Sequence, residues 1–325
     1  MQEENQENQR SVLVVGSVAY DSVKTPVGSR VDALGGSATY FSVAGSYFAP
    51  VSVVAVVGDD FSSEHVELLR SHGVDTSGIQ RQLGSTFRWS GVYSDEDVNT
   101  RETLDTQLNV FADFQPGLGD GHSRLPYLFL ANIEPGLQLD VLGQMAERPR
   151  LVALDTMNFW IEGSNRALTE AVRSIDVLFM DEGETRSFSG EPNLVRAARR
   201  IMGMGPTTVV VKRGEHGVLL FRGDSIFSAP AFPLENVVDP TGAGDSFAGG
   251  FMGYLASTGD LSHDGFRRAA LLGSVIGSFT VEDFSVDRLA SLTQKAIDSR
   301  YRALTDLLRF QPLKEGESLP WRDRD

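Results

Sequence analysis

"VVDPTGAGDSFAGGFMGYL", residues 237–255, places Gly242, Ala243, Gly244 and then the carboxylate of Asp245 at the head of an apolar run that reads as a buried helix. Glycine in a helix costs roughly 1 kcal/mol against alanine, so these positions call for a function that a side chain would obstruct. The first N–H groups of a helix have no intrahelical partners, and the helix dipole is positive at that end. A turn of small residues there is a cradle for an anion. A carboxylate beside a bound phosphate is unfavourable unless it takes a proton from an attacking hydroxyl. Asp245 is therefore a candidate general base, and the amides of Gly242, Ala243 and Gly244 a candidate anion hole for a transferring phosphoryl group. The same residues would also serve as a glycine turn with Asp245 as an ordinary cap, and spacing alone does not separate the two.

Working outward, short β-branched runs at 11–17, 51–58, 127–132, 151–155, 176–180 and 207–212 read as strands. Helix-period stretches follow at 61–72, 136–147, 164–174 and 193–203, and the chain turns helical over 245–257, 262–280 and 286–309. Continuous apolar strands interleaved with helices predict an α/β fold with a parallel sheet covered on both faces. Residues 86–112 differ, alternating with period 2 around the polar turn "SDEDVN". This predicts a hairpin with Phe87, Trp89, Tyr93, Leu104, Leu108 and Val110 on one apolar face. With the polar stretch 18–33 it would form a small sheet beside the main one.

The 325 residues carry 44 acidic and 29 basic side chains, a net charge of −15, with no basic stripe. That balance argues against a nucleic-acid or anionic-membrane partner. The absence of cysteine excludes disulfides, thiolate zinc sites and a cysteine nucleophile. The five histidines, at 65, 72, 122, 216 and 263, form no metal-binding spacing. The lead "MQEENQENQR" lacks an apolar h-region, and no apolar run approaches the roughly 20 residues of a membrane span; the expectation is a cytoplasmic protein. No G-x-x-x-x-G-K-[ST] occurs, which excludes a Walker-type site. A dinucleotide turn would need a strand before its glycines, and "SAPAFPLENVVDP" is broken by prolines.

"DPTGAGDSFAGGFM" (239–252) resembles the C-terminal signature of the ribokinase-like (PfkB) carbohydrate kinases. "LGGSATYFSVAGSYFAPVSVVAVVGDDF" (34–61) resembles their N-terminal signature, with its double glycine and closing G-D-D. The likeness spans about residues 11–310. It implies a ribokinase-like three-layer α/β/α sandwich with a mostly parallel central sheet and a small β-sheet lid. The lid would come from about 18–33 and 86–112, with a disordered lead over 1–10 and a disordered tail over 311–325. Position by position, the resemblance implies Asp245 as catalytic base and 242–244 as anion hole. It implies Asp21, Gly35, Gly36 and Glu134 as substrate-facing residues, with Tyr40 where the family usually has asparagine. Lys212, Gly214 and Gly217 fall where the family contacts nucleotide. Asp181 and Glu184 in "DEGE" stand where it has N-x-x-E, a motif tied to magnesium and phosphate, with Asp181 in place of the asparagine. Asp239 and Thr241 match positions near a monovalent-cation site that would take K+.

The sequence thus predicts a kinase using ATP and Mg2+ that phosphorylates a hydroxymethyl group of a small sugar, with a nucleoside as the alternative acceptor. A nucleotide-sensing protein without turnover is a more distant alternative, against which the intact Asp245 speaks. Three bland readings stay open. Asp21 would serve as a turn residue, Asp181 and Glu184 as an acidic first helical turn, and Phe159 and Trp160 as core aromatics rather than stacking partners for a base. The aromatic stripe of the hairpin predicts a homodimer joined through the lid, or else a monomer whose stripe closes over a bulky substrate.

Overall fold

Alternate residues of the first strand, β1 (Val12–Val15), face two different cores. Val12 and Val14 join Val53, Ala55, Phe41, Phe251 and Ile276 on one side of the sheet, and Leu13 and Val15 join Val54, Val56, Leu168 and Ile201 on the other. A strand apolar on both faces belongs in the middle of a covered parallel sheet, and β1 lies there in the computed structural model, which describes residues 9–94 and 100–320. Residues 1–8 of the expected lead, 95–99 of the hairpin turn and 321–325 of the tail lie outside the described residues.

The remaining strands are β2 (Ala19–Thr25), β3 (Gly28–Gly35), β4 (Val51–Gly58), β5 (Asp75–Gln82), β6 (Arg88–Tyr93), β7 (Arg101–Gln107), β8 (Tyr127–Leu130), β9 (Leu151–Asp155), β10 (Val177–Asp181), β11 (Thr208–Lys212), β12 (Val218–Arg222) and β13 (Ser225–Ala229). Together with β1, eight of them form one nine-stranded sheet in the order β13-β12-β11-β10-β9-β8-β1-β4-β5, parallel except for the β11-β12-β13 edge. The chain builds from β1 to β4 and β5 on one side, then from β8 onward on the other. That reversal makes a switch point, and in open α/β sheets ligands bind at the carboxyl ends of strands beside such a point.

Four strands make a second sheet, β3-β2-β6-β7. Arg88 of β6 anchors it, with Nη1 2.5 Å from Asp32 in β3 and Nη2 2.8 Å from Asp60 after β4. The hairpin is present, but its single apolar face is not. A bulge between Ser90 and Gly91 makes Leu104 the extra residue of β7, since Ser90 pairs with Asp105 and Gly91 with Thr103. Leu104 and Leu108 stand exposed, Val110 is buried in the body and Phe87 stacks on Phe111 at 5.2 Å. Only Trp89 and Tyr93 keep the expected shared face. The predicted helix 286–309 is also corrected: it splits into Asp287–Ala290 and Gln294–Leu307. Thr293 takes extended backbone there and caps a new helix by accepting from the Ala296 N–H, which outweighs the periodicity across the break.

Residues 311–320 form no helix or strand and are exposed. Among the described residues no helix is long and apolar enough to cross a membrane.

Candidate active site

The helix that begins the quoted stretch runs Ala243–Thr258. Gly242 precedes it with φ 76°, a left-handed conformation that glycine adopts without strain. A Cβ on Gly242 would also clash with the ring of Tyr40, which is 1% exposed. Glycine is therefore required twice over at this position. The loop backbone is tied down beside it: Asp239 Oδ1 accepts from the Thr241 N–H at 2.9 Å, and the Asp239 N–H donates to Val281. No side chain caps the helix; the Ala243 N–H turns back to the Pro240 carbonyl at 3.2 Å, and the amides of Gly242 and Gly244 on either side of it are the ones that face a ligand in the anion-hole reading.

The helix start points at the carboxyl edge of the sheet. Asp155 ends β9, and its Oδ2 accepts from Lys212 Nζ, at the end of β11, at 2.7 Å. That ammonium lies against Gly244, where a Cβ would come within 3.0 Å of it. Burial alone would lower Lys212, but Asp155, Glu184 and Asp245 around it reverse this and hold it well above its ordinary value. Asp245 itself is pushed up to about 7, chiefly by burial and then by Asp155, against the pull of Lys212 and Arg101. A carboxyl poised near neutrality can exchange a proton with a hydroxyl at working pH.

The small sheet supplies the opposite wall. Asp21 of β2 is the register partner of Trp89 in β6, so the two side chains share a face, and Tyr93 follows on it four residues on. Gly35 is a position of close approach, because a Cβ there would overlap the Asp21 carboxylate. Burial pushes Asp21 up to about 7, with Asp239 and Asp245 adding to it and the Gly36 N–H, 3.4 Å from Oδ2, opposing. These mutual effects place Asp21, Asp239 and Asp245 around one cleft. Tyr40 belongs to it too: burial raises its phenol, and Asp21, Asp239, Tyr93 and Asp245 act on it. Tyr93 Oη lies 3.1 Å from Thr241 Oγ1, so the small sheet touches the residue just before Gly242. The Trp89 indole folds over Gly91, and its Nε1 donates to Thr103 Oγ1 at 3.3 Å.

Asp181 and Glu184 form a capping box at the start of Glu182–Ser189. The Glu184 N–H donates to Asp181 Oδ1 and the Asp181 N–H to Glu184 Oε2, each at 2.7 Å. Burial pushes Glu184 up to about 8, and Asp181 adds to it. Gly214 and Gly217 close the β11–β12 hairpin beside Lys212. Glu134 is the N-cap of Pro135–Gln144, its Oε2 accepting from the Leu137 N–H at 3.0 Å. The reading of Phe159 and Trp160 as core aromatics does not hold, because Phe159 is 63% exposed and Trp160 is half-buried with Asn132 Oδ1 2.9 Å from its Nε1.

Sequence reasoning passed over Asp155, Tyr93 as a site residue, and Arg101. Asp155 ends an apolar strand at the edge where such sheets hold their ligands, a signal that would have found it. Arg101 sits in a polar strand whose every residue is exposed, and nothing local marks it.

A family model described as pfkB family carbohydrate kinase matches residues 139–291. The cytidine kinase of Thermococcus kodakarensis is 32% identical over 259 residues, covering 74% of this chain and 87% of that protein. The chain belongs to the pfkB family of carbohydrate kinases. This pfkB-family kinase is also similar to the 2-dehydro-3-deoxygluconokinase of Dickeya dadantii, 25% identical over 260 residues, 69% of this chain and 79% of that one. Among solved structures, the nucleoside kinase of Methanocaldococcus jannaschii, a member of the ribokinase family, superposes with a TM-score of 0.72 at 18% identity, covering 90% of this chain and 98% of that one. The fold is thus the ribokinase-like α/β fold with its separate small sheet, and the chain is an ATP-using kinase of the sugar and nucleoside class.

Proposed function

We propose that this pfkB-family kinase phosphorylates a nucleoside, transferring the γ-phosphoryl group of ATP to the hydroxymethyl group of its ribose. The observation that carries this reading is the row Asp21, Trp89 and Tyr93 on one face of the small sheet, turned to the cleft that holds Asp245. A carboxylate on that row suits ribose hydroxyls, and an indole beside it suits the face of a base. The similarity to a cytidine kinase supports it. The free sugar favoured by the sequence needs no such platform.

In this reading Asp245 takes the hydroxyl proton as the new P–O bond forms. The 242–244 amides hold the phosphoryl oxygens, whose charge grows little in a loose transition state but must be held in line. Gly35 and Gly36 bring the lid backbone close to Asp21, and the Tyr40 phenol faces the acceptor. Lys212, Gly214 and Gly217 border the nucleotide. Residues 11–310 act as the kinase domain, with the small sheet as a lid that excludes water, and the need for ATP puts the protein in the cytoplasm.

Among the described residues no three His, Cys, Asp or Glu side chains converge as a metal cage. The pair of exposed Asp181 and buried Glu184 nonetheless fits a hydrated Mg2+ carried on the phosphates: each has one oxygen outside the capping box, and a nearby dication would relieve the repulsion that adds to the raising of Glu184. Bound there, Mg2+ would neutralise phosphate charge. Asp239 and Thr241 fit K+ in the same sense, since the Asp239 carboxyl is 1% exposed and pushed up by burial.

A sugar acid is the second reading, favoured by one observation: the exposed Arg101 could meet a carboxylate. With Trp89 and Tyr93 turned to the cleft, a monomeric kinase follows more simply than the lid-joined homodimer. The dimer would now rest on the exposed Val27, Val31 and Leu104, and sedimentation of the wild type tests it. The acceptor is tested by measuring ADP release over nucleosides, pentoses, hexoses, inositols and sugar acids. Nucleosides alone should support turnover; turnover confined to sugars or sugar acids would overturn the reading.

A further inference from the structure

We infer that Asp155 is a positioning residue for phosphoryl transfer: it fixes the Lys212 ammonium against the anion loop at Gly244 and offsets that charge where Asp245 takes its proton. The inference rests on the reading of Asp245 as general base. Asp155 itself lies outside both glycine-rich stretches, 34–61 and 239–252.

Three observations place it. Asp155 is buried at the end of β9, and both its carboxylate oxygens are engaged: Oδ1 accepts from the Thr156 N–H at 2.9 Å and Oδ2 from Lys212 Nζ at 2.7 Å. Second, its backbone is pinned. The buried Gln138 spans the ends of β8 and β9, its Nε2 donating to the Ala131 carbonyl at 2.9 Å and to the Asp155 carbonyl at 3.1 Å. Third, the ion pair ends at the loop: a Cβ on Gly244 would lie 3.0 Å from Lys212 Nζ, so the ammonium fills the space beside the last glycine of the anion hole. A lysine side chain gives up much rotamer freedom when it is fixed. Here a carboxylate with no freedom of its own fixes it.

The chemistry of the cleft gives this placement a use. In the transfer, the bond from γ-phosphorus to the bridging oxygen of ADP breaks and the bond to the acceptor oxygen forms. The acceptor proton goes to Asp245, and the bridging oxygen leaves with its electron pair on ADP. Asp155 and Lys212 neither give nor take a proton in this step. An unmatched ammonium near Asp245 would make it a poor base, because a nearby cation favours the ionised carboxylate over the protonated one. Asp155 supplies the opposing charge. After burial it is the largest influence that raises Asp245, whereas Lys212 and Arg101 of β7 pull the other way. Asp21 of β2, Tyr40, Asp239 and Glu184 share the cleft, so the pair acts within an acidic surround. Burial raises Asp155 as well, and Lys212 and the Thr156 N–H oppose this by favouring its charge.

The test uses the full-length kinase with ATP, Mg2+ and the nucleoside that the wild type turns over. The pH–rate profiles of wild type, Asp155→Asn and Asp155→Glu are compared. Asparagine keeps an oxygen for the Thr156 N–H and loses the charge. Asp155→Asn should lower kcat on the alkaline plateau by about 10- to 100-fold, the scale for a misplaced group near the reacting atoms, with the nucleoside KM within a few-fold. The midpoint of its acid limb should fall by about one pH unit or more, since the lost anion and the unmatched cation both make Asp245 more acidic. Asp155→Glu keeps the charge and should keep the midpoint of the wild type. An Asp155→Asn enzyme with an unmoved midpoint overturns the inference, whether its rate falls or not, and so does an Asp155→Glu midpoint that falls as far. If thermal melting shows that Asp155→Asn does not fold, the smaller neutral Asp155→Ser carries the same test. Failure of both to fold also overturns the inference, by making Asp155 a requirement of folding. A wild type with no kinase activity, or an Asp245→Asn enzyme with normal kcat, removes the reading beneath it. An active wild type with an indifferent Asp155 removes this inference alone.

Discussion

The Tyr40 ring fills the space that a side chain on residue 242 would need. Tyr40 sits in the N-terminal glycine segment and Gly242 in the C-terminal one, so this contact locks the acceptor side of the cleft to the anion loop. Gly242→Ala should therefore fail on two grounds. Its φ of 76° costs an L-residue about 1–2 kcal/mol, and the new methyl must push Tyr40 aside. Denaturant melts should show at least that loss, with kcat falling alongside. Tyr40→Phe keeps the ring and should keep the melting point. A Gly242→Ala protein with wild-type stability and turnover would disprove the packing argument.

In the proposed mechanism Asp245 sets the pH dependence of catalysis. Its carboxyl is raised to about 7, and a general base works only when deprotonated. The rate at saturating ATP should thus rise with pH through about 7 and level off above it. A flat profile from pH 5.5 to 8.5 would show that no group of this kind limits the reaction.

Stability should run the other way. Asp21 and Asp245 are raised to about 7 and Glu184 to about 8, so between the unfolded carboxylate range and those values the folded state binds more protons than the unfolded one. Stability then falls as pH rises through that window. The ligand-free enzyme should melt higher near pH 5.5 than near pH 8. Asp21→Asn, which removes one such group, should recover part of the loss at pH 8, on the order of a few degrees. A melting point that climbs with pH would contradict the assignment.

The magnesium role proposed for Glu184 has its own test. Glu184→Gln keeps an oxygen that can accept the Asp181 N–H and so preserves the capping box, while removing the charge. The Mg2+ concentration for half-maximal rate should rise several-fold, while the melting point at pH 8 should hold or rise, since one of the raised carboxyls is gone. An unchanged titration would leave the pair as a helix cap alone.

Much of this site is legible in the sequence because it is local. The glycines at 242 and 244 and Asp245 sit within one turn, and the small residues there mean the same thing in any context. The strands β1, β4, β8, β9, β10 and β11 are legible because burial on both faces makes them continuously apolar. The edge strand β5, "DTSGIQRQ", is not, since one side of it meets solvent and its polar residues hide the period. The lid fails for another reason: one bulged residue, Leu104, reverses the parity of half a strand, and no local pattern announces a bulge. Arg101 is illegible because it is a polar residue in a polar strand, and only its register pairing with Tyr93 ties it to the cleft.

The central claim is that Asp245 drives phosphoryl transfer to a nucleoside. The most direct measurement is mass and 31P NMR analysis of the product formed from ATP and a panel of nucleosides, with wild type and Asp245→Asn side by side. The account predicts a nucleoside monophosphate bearing the phosphate on the ribose hydroxymethyl oxygen, formed 10² to 10⁴ times more slowly by Asp245→Asn, roughly the range for loss of a general base, with ATP affinity unchanged. A product made only from sugars or sugar acids, or an Asp245→Asn enzyme that keeps near-normal kcat, would contradict it.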